Sequence, residues 1–398
     1  MTFDFDTVID RRGTDSLKYD FAAERGRPSD VLPLWVADMD FRSPPAVLEA
    51  VARLAEHGVF GYSDARDDYL EAVTGWFFRR FGWRTEGEWI IKTPGVVTAL
   101  ALAVRAFTEP GDSVLIQPPV YYPFYGVIRD NGRRIAENPL ALRGGRYEID
   151  FDGFEETVKR ERVRLFLLCS PHNPVGRVWS REELGRIGEI CLRYGVRVVS
   201  DEIHCDIVLP GAGTRHTPFP LACPELDEMT VVCTAPSKTF NLAGLQISNI
   251  FLAGRETRRL FQRELDRIGY SQPNQAGLAA CRAAYREGEE WLTALLSYLA
   301  GSLGMLRDFL TAEIPGIRLI EPEGTYFAWL DCSGAGLSDP ALNDLVTNRA
   351  RLWLDAGRMF GKNAGSGFQR LVYACPRATL EEALTRLRDA FRAGGAKW

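Results

Sequence analysis

The sequence is poor in lysine and histidine. Only six of its 48 basic residues are lysines, at positions 18, 92, 159, 238, 362 and 397, and it has four histidines. So few histidines argue against a metal site built from several imidazole ligands. The scarcity of lysine also makes the surroundings of each one informative. Five occupy polar or chain-end settings, whereas Lys238 follows an apolar run.

Cysteine pairs of the kind that bind metal are also lacking. The eight cysteines are scattered over positions 169, 191, 205, 223, 233, 281, 332 and 375, and none forms a Cys-x-x-Cys pair. This spacing argues against a zinc site and against a disulfide framework. Cys169 ends the apolar run 165–169 and is expected to be a buried, reduced thiol. We therefore expect no metal.

The chain has no basic cluster and no long apolar run. Its formal net charge is −5, so nothing favours nucleic acid or an anionic membrane as a partner. No apolar run approaches the roughly 20 residues that span a bilayer. Residues 1–6 contain neither the basic nor the apolar segment of a secretion signal. We expect a cytoplasmic protein that binds neither nucleic acid nor membrane.

Between residues 89 and 252, short apolar segments alternate with helical patterns. Such alternation is typical of an α/β fold with a mostly parallel sheet covered on both faces. Ligands bind these sheets at the carboxyl ends of the strands. The 398 residues are enough for two domains. We expect a large domain at 46–285, a smaller α+β domain at 286–398, and an N-terminal arm at 1–45 that joins the smaller domain.

Local patterns predict individual elements within this outline. A Pro-Pro pair opens a helix that continues to His57, and an amphipathic pattern predicts another helix at about 67–81. In the smaller domain the apolar segment 325–331 predicts a strand. A helix at about 340–356 is expected to follow it.

Lys238 lies just past the apolar run 231–233 and is flanked by Ser237 and Thr239. A lysine desolvated at such a place has a lowered pKa, which frees its amine to act as a nucleophile or to form a Schiff base. A lysine that snorkels out of a loop fits the same local pattern. This stretch alone leaves both readings open.

Other chemical groups also follow predicted strands. Asp201 comes after the apolar segment 196–200, where a carboxylate is costly unless a positive group meets it. Asn173 follows another apolar strand and lies between two prolines that stiffen it. Each residue also has an ordinary explanation, Asp201 as a helix cap and Asn173 as a turn former.

Two further features suit a ligand that has an anionic group and a flat ring. Gly95, Val96 and Val97 offer backbone NH groups at a predicted helix start, which is a ready anion site. Tyr121 presents an aromatic face, although it could equally be a core residue. Pyridoxal 5'-phosphate (PLP) would use an amine, a carboxylate, a hydrogen-bond donor, a helix start and an aromatic ring together.

Five stretches of the chain match a known pattern. They are Trp35 to Asp40, Leu167 to Gly176, Ser200 to Asp206, Ser237 to Gln246 and Tyr326 to Asp331. They resemble fold-type I PLP-dependent enzymes, and more closely the bacterial carbon–sulfur β-lyase (cystathionine β-lyase) branch of the class I/II aminotransferase family. The resemblance covers nearly the whole chain and implies the fold-type I transferase fold.

The resemblance also implies roles for individual residues. Lys238 would form the Schiff base and be the catalytic residue, and Asp201 would pair with the pyridinium nitrogen. The other implied cofactor contacts are Tyr121 on the ring, Asn173 and His204 at the phenolate oxygen, and Val96, Val97 and Ser237 at the phosphate.

A homodimer with shared active sites is implied as well, because Tyr62 matches a tyrosine that completes the phosphate site of the neighbouring subunit. The substrate carboxylate would be bound by Arg370, since a guanidinium group contacts a carboxylate at two points. Arg377 is a second candidate for that role. An arginine that is simply solvated remains the alternative for Arg370.

Three departures bear on the type of reaction. Gln246 stands where many aminotransferases have an arginine, Ala235 where they have serine, and His204 where they have tyrosine. By association these residues favour a lyase that cleaves L-cystathionine or other S-substituted L-cysteines to a thiol, pyruvate and ammonia. An aminotransferase stays open, as does a specialised enzyme that eliminates from, or decarboxylates and deaminates, a cysteine S-conjugate. So does a binding protein that keeps the cofactor without turnover.

Overall fold

The computed structural model describes residues 3–393. The first two residues of the predicted arm and the last five of the predicted C-terminal domain lie outside this range. Among the described residues, none of the helices combines the length and the apolar character needed to cross a bilayer.

Helices and strands alternate along most of the described chain. The helices are α1 Pro45–His57, α2 Asp67–Phe81, α3 Val96–Phe107, α4 Pro123–Arg129, α5 Phe151–Glu161, α6 Arg181–Tyr194, α7 Phe219–Ala222, α8 Pro236–Thr239, α9 Arg255–Arg267, α10 Gln275–Glu287, α11 Glu289–Glu313, α12 Asp339–Asp344 and α13 Arg377–Ala393. The strands are β1 Leu32–Pro33, β2 Ile90–Thr93, β3 Ser113–Ile116, β4 Arg134–Glu137, β5 Ala141–Arg143, β6 Arg146–Glu148, β7 Val163–Cys169, β8 Arg197–Asp201, β9 Thr230–Thr234, β10 Ser248–Phe251, β11 Arg318–Ile320, β12 Phe327–Asp331, β13 Leu352–Trp353, β14 Asp355–Ala356 and β15 Phe368–Val372.

A seven-stranded sheet in the order β2-β10-β9-β8-β7-β3-β4 forms the centre of the larger part of the chain. Its strands from β9 to β4 run parallel, which confirms the predicted mostly parallel α/β fold. Strand β10 runs antiparallel to both of its neighbours, β9 and β2, so β2 has the same direction as the parallel strands. A parallel return usually requires a long crossover helix, and the connection from β9 to β10 contains only the four-residue α8 and a 3-10 turn.

Both faces of this sheet are covered by helices. Leu100 of α3 and Phe261 of α9 belong to the core on one face, and Phe154 of α5 and Leu184 of α6 belong to the core on the other. Every residue of β3, β9 and β10 is buried, as a strand covered on both sides requires. The polar groups that follow these strands are therefore concentrated at the ends of the strands, outside the buried part of the sheet.

A four-stranded antiparallel sheet, β11-β12-β15-β14, lies in the C-terminal part of the chain. The arm reaches the same part, because Leu32 and Pro33 pair in parallel with Leu352 and Trp353. The division of the chain at residues 46 and 286 stays a prediction.

The helix predicted at about 340–356 is wrong in its second half. Helix α12 ends at Asp344, a π turn covers Leu345–Arg349, and the chain then enters β13 and β14. Arg351 adopts a left-handed conformation, with φ 51°, which a helix does not contain. Pairing with the arm therefore overrides the helical pattern of the sequence.

Candidate active site

A cavity of about 190 Å³ lies at the carboxyl ends of the central parallel strands. The register places Cys169, Asp201 and Cys233 side by side at the ends of β7, β8 and β9. The segments that follow neighbouring parallel strands begin side by side at the carboxyl ends of these strands. Residues far apart in sequence therefore meet here. Eight of the nine predicted cofactor contacts line the cavity: Val96, Val97, Tyr121, Asn173, Asp201, His204, Ser237 and Lys238.

Lys238 is carried by the short helix α8, just past the end of β9. Its Nζ atom donates a hydrogen bond to the carbonyl oxygen of Ala37 at 2.8 Å. The hydroxyl of Tyr326 donates to the same oxygen at 2.9 Å. Burial lowers the pKa of Lys238 to about 8, an effect that Asp38 opposes and Arg370 reinforces. A large share of the amine is therefore neutral at mildly alkaline pH, which is the form that reacts with carbonyl groups.

Asp201 faces Lys238 across the cavity floor and is only 3% exposed. Its Oδ1 accepts a hydrogen bond from the backbone NH of Ile203 at 3.2 Å. Burial raises the pKa of Asp201 to about 7, while the Ile203 hydrogen bond acts in the opposite direction. A buried carboxylate without a salt bridge in the described chain is suited to a cationic ligand atom, such as a protonated ring nitrogen.

His204 is buried on the wall of the same cavity, and its Nδ1 atom has no hydrogen-bond partner among the described residues. Burial lowers the pKa of His204 well below its usual value, and the charges of Lys238 and Arg370 add to the effect. The imidazole packs edge-on against Tyr326 and Phe327. It is therefore a neutral, fixed group with one nitrogen left for a ligand.

The start of α3 forms one end of the cavity. This twelve-residue helix has no side-chain cap at its N-terminus. Val96 and Val97, in the first turn of this helix, line the cavity together with Ser237. Free NH groups at a helix start favour a negatively charged group such as phosphate.

Arg370, on β15 in the C-terminal part of the chain, is 2% exposed and does not itself line the cavity, but it contacts the lining residue Asn173. Its guanidinium donates to Asn173 Oδ1 at 3.0 Å, to the carbonyl oxygen of Trp35 at 2.8 Å and to the carboxylate of Asp355. The group lies over the ring of Phe327 at 4.5 Å. Its Nε atom is buried and has no partner among the described residues. The guanidinium is thus already paired with one carboxylate, that of Asp355, and the Nε edge is the part left for another.

Two of the residues considered from the sequence lie elsewhere. Tyr62 is 96% exposed on the loop between α1 and α2 and lines a separate surface cavity of about 350 Å³. Arg377 begins α13, where its guanidinium lies over the ring of Tyr298 at 4.5 Å. The geometry therefore favours Arg370 over Arg377 for contact with a ligand in the cavity.

Three groups of the site were not found from the sequence. They are the carbonyl oxygen of Ala37, the hydroxyl of Tyr326 and the carboxylate of Asp355. Ala37 and Tyr326 lie in stretches that carried the resemblance, but no local signal shows that the Ala37 carbonyl oxygen accepts hydrogen bonds from both Lys238 and Tyr326. Residues 3–393 contain no group of three or more His, Cys, Asp or Glu side chains suited to a metal ion.

Known proteins resemble the chain over nearly its full length. The model of the family "Aminotransferase class I and II" matches residues 29–387. Cystathionine beta-lyase PatB of Bacillus subtilis is 45% identical, over 97% of this chain and 99% of the relative. Cystalysin of Treponema denticola, a structure that contains PLP, superimposes with a TM-score of 0.94 and 37% identity, covering 99% of this chain and 100% of cystalysin. The PLP-bound C–S lyase of Staphylococcus hominis superimposes with a TM-score of 0.91 and 32% identity, covering 98% of both chains.

Proposed function

The chain belongs to the class I and II aminotransferase family, and we propose that within this family it is a PLP-dependent carbon–sulfur β-lyase. Its substrates are L-cystathionine or other S-substituted L-cysteines, and its products are a thiol, pyruvate and ammonia. The observation that carries the proposal is the cavity in which the Lys238 amine, the Asp201 carboxylate and the start of α3 face one another. The likeness to cystathionine β-lyases over almost the whole chain selects the reaction.

The residues of the cavity fit PLP on two structural observations. Asp201 is a buried carboxylate without a salt bridge within the described chain, and the first turn of α3 has no side-chain cap. Bound PLP supplies an electron sink for the electrons of a bond that breaks at the substrate α carbon. Asp201 would hold the ring nitrogen, Tyr121 the ring face, and Asn173 and His204 the phenolate oxygen.

Lys238 would remove the proton from the substrate α carbon. Burial keeps much of its amine neutral near pH 8, and the carbonyl oxygen of Ala37 holds the Nζ atom in place. Arg370 would bind the substrate carboxylate through its unpartnered Nε edge and so fix the direction of the breaking bond. The leaving sulfur needs little acid assistance, because the pKa of a thiol is only about 8.5.

A second cavity, of about 630 Å³, adjoins the first and gives space for the group carried on sulfur. Lys238 and Gln246 line both cavities. The second is also lined by Arg11 and Asp38, which form a salt bridge of 2.5 Å. The ammonium and the carboxylate at the distal end of L-cystathionine would pair with Asp38 and Arg11 in exchange for the salt bridge between these two side chains. This favours L-cystathionine over S-alkylcysteines as a substrate.

A homodimer and a cytoplasmic location belong to the proposal. Val59 and Phe60 are 63% and 75% exposed beside Tyr62 on one loop, and adjacent exposed apolar side chains mark interaction surfaces. Tyr62 of the partner subunit would reach the phosphate end of the cavity. This arrangement accounts for an exposed tyrosine that contacts no part of its own site.

The test is to incubate the purified protein with L-cystathionine or S-ethyl-L-cysteine and to follow thiol, pyruvate and ammonia without any added 2-oxo acid. We expect equal release of all three, with faster turnover of L-cystathionine, and no release by the Lys238→Ala variant. Amino transfer to an added 2-oxo acid without pyruvate formation would instead identify an aminotransferase. Release of carbon dioxide would identify a decarboxylating enzyme.

A further inference from the structure

A larger cavity, of about 890 Å³, lies between the end of α2 and the loop 208–217. It shares no lining residue with the active-site cavity. Its volume falls in the range of small-molecule sites, roughly 300–1,000 Å³. The cavity therefore has room for a ligand of its own.

The lining of this cavity is rich in positive charge. Arg80, Arg181 and Arg215 line it together with a single carboxylate, that of Asp206. Arg80 donates from Nε to Asp206 Oδ1 at 3.3 Å. Arg181 and Arg215 are exposed, and their side chains form neither a hydrogen bond nor a salt bridge within residues 3–393. Two guanidinium groups are thus free to contact an anion.

A buried polar atom adds a second, independent observation. His216 lines the cavity and is 5% exposed, and its Nδ1 atom has no partner among the described residues. Its Nε2 lies 2.8 Å from a carboxylate oxygen of Glu202, to which it must donate. The unpartnered Nδ1 atom of this buried side chain leaves one hydrogen-bonding position for a ligand in the cavity.

Another arginine-rich groove has a smaller excess of positive charge. A groove between α3 and α9 is lined by Arg105, Arg133, Arg263 and Arg267, but also by Glu109, Asp130 and Glu264. Glu264 forms salt bridges with two of these arginines. That groove is close to charge balance, and it provides a control.

We propose that the cavity beside loop 208–217 binds a small anion that carries a phosphate group, and that occupancy is transmitted to the active site. Guanidinium groups bind phosphate through two parallel hydrogen bonds. Two unpaired arginines and one buried imidazole surround enough space for a phosphate monoester or a pyrophosphate. The ligand class follows from this donor set.

Asp206 connects the cavity to the active site. Besides Arg80, its carboxylate accepts hydrogen bonds from Trp76 Nε1 at 3.2 Å and from Thr239 Oγ1 at 2.9 Å. Thr239 directly follows Lys238 on α8. An anion that draws Arg80 away from Asp206 removes a positive neighbour from the carboxylate that positions α8. The ligand is thereby coupled to Lys238.

A second connection runs through Glu202. Its carboxylate accepts from His216 on the cavity side, and also from the hydroxyl of Ser200 at 2.8 Å and the NH of Phe219 at 2.9 Å. Glu202 directly follows Asp201, the carboxylate of the cofactor site. Both connections therefore end one residue away from a predicted cofactor contact.

The binding test uses the PLP-loaded protein, because bound PLP occupies the phosphate end of the active site. Isothermal titration calorimetry with pyrophosphate and with phenyl phosphate should show one saturable site per chain. The double variant Arg181→Gln/Arg215→Gln should bind at least about tenfold more weakly, since charged hydrogen bonds are lost. Arg263→Gln, in the other groove, should bind as the unchanged protein does.

No saturable binding, or an equal loss in the Arg263→Gln variant, would refute the anion site. Tighter binding of succinate than of phenyl phosphate would refute the phosphate class. Catalytic turnover without ligand should be the same in the double variant, because neither arginine contacts the active-site cavity.

The coupling test rests on the proposed PLP function and follows the visible absorbance band of the bound cofactor. We expect pyrophosphate to shift the pH midpoint of this band in the unchanged protein and in Arg263→Gln. The shift should be absent in the double variant. Thr239→Val, which keeps the shape of the side chain but removes its hydroxyl, should still bind pyrophosphate and show a smaller shift. Binding without any shift in the unchanged protein would refute the coupling, and a protein without the visible band would refute PLP binding instead.

Discussion

At the scale of single residues, burial changes the proton affinity of two facing groups in opposite directions. It lowers the pKa of Lys238 to about 8 and raises the pKa of Asp201 to about 7. The cause is the same, because a low-dielectric site penalises the charged form of either group. The charge states of both groups can therefore change near neutral pH, where a cofactor or a substrate can control them.

The first prediction concerns the reactivity of Lys238 in the cofactor-free protein. Its rate of reductive methylation, measured by mass spectrometry, should rise with pH through a midpoint near 8. Lys159 is the internal control, because its hydrogen bond with Glu155 raises its pKa above the usual value. A midpoint for Lys238 near that of an ordinary lysine would contradict the burial argument.

The same pKa determines how stability depends on pH. Since the folded-state pKa of Lys238 lies below the usual 10.5, the unfolded chain binds more protons between these values. The contribution of Lys238 to stability therefore rises as the pH rises from about 8 to 10.5. Asp201 acts in the opposite sense, because its raised pKa makes its contribution fall between about pH 4 and pH 7.

The second prediction concerns the charge of Asp201. Asp201→Asn should lower kcat by about 10²–10³-fold, as expected when one preorganised electrostatic contact is removed. Asp201→Glu, which keeps the charge, should recover part of the rate. Steady-state kinetics with L-cystathionine, together with circular dichroism to verify folding, measures the effect. An Asn variant as active as the unchanged protein would show that Asp201 does not act on the reaction.

At the scale of elements, one side chain makes three of the hydrogen bonds that hold the arm over the active site. Asn241 accepts from the NH of Met39 at 2.9 Å and donates to the carbonyl oxygens of Met39 and Phe41 at 3.0 and 2.9 Å. Its φ of 58° lies in the left-handed region, which Asn tolerates better than most residues. The arm in turn places the carbonyl oxygen of Ala37 against Lys238.

The third prediction follows from this attachment. Asn241→Ala should lower the free energy of unfolding by about 2–4 kcal/mol, because three hydrogen bonds are lost and alanine is strained at a positive φ. Urea unfolding measures the change. Trypsin should also cut faster after Lys18, which is fully buried and bonded to Asp40 at 2.8 Å.

Asn131→Ala is the matched control for this variant. Asn131 makes one local hydrogen bond, to the carbonyl oxygen of Val127 at 2.7 Å. Its replacement should cost only about 0.5–1.5 kcal/mol and leave cleavage after Lys18 unchanged. Equal effects of the two variants would show that the arm does not depend on Asn241.

At the scale of the whole molecule, the fourth prediction concerns active sites that the two subunits of the proposed homodimer share. In a mixed dimer of a Lys238→Ala subunit and a Tyr62→Ala subunit, one site carries both defects and the other carries neither. Random mixing in equal amounts should therefore restore about a quarter of the activity of the unchanged protein, since half of the dimers are mixed and each has one intact site.

Activity assays after joint unfolding and refolding of the two variants measure this recovery. If Tyr62 served its own subunit, both sites of the mixed dimer would be defective and no activity would return. A monomer by size-exclusion chromatography would contradict the shared-site proposal directly.

The sequence by itself determined the outline of the protein. Alternating apolar segments predicted the parallel sheet, and Asp201, Asn173 and Lys238 could be placed at its edge because each follows a strand along the chain. Helices α1 and α2 begin and end close to their predicted bounds, since a proline at a helix start and amphipathic spacing are local properties of the chain.

The tertiary structure decided how the functional groups are oriented. Arg370 contacts Asn173, 197 residues away, and Lys238 contacts Ala37, 201 residues away. Leu352 leaves the predicted helix because it pairs with Leu32 of the arm. Contacts of this kind depend on which distant segments pack together, whereas sequence patterns report only what neighbours along the chain prefer.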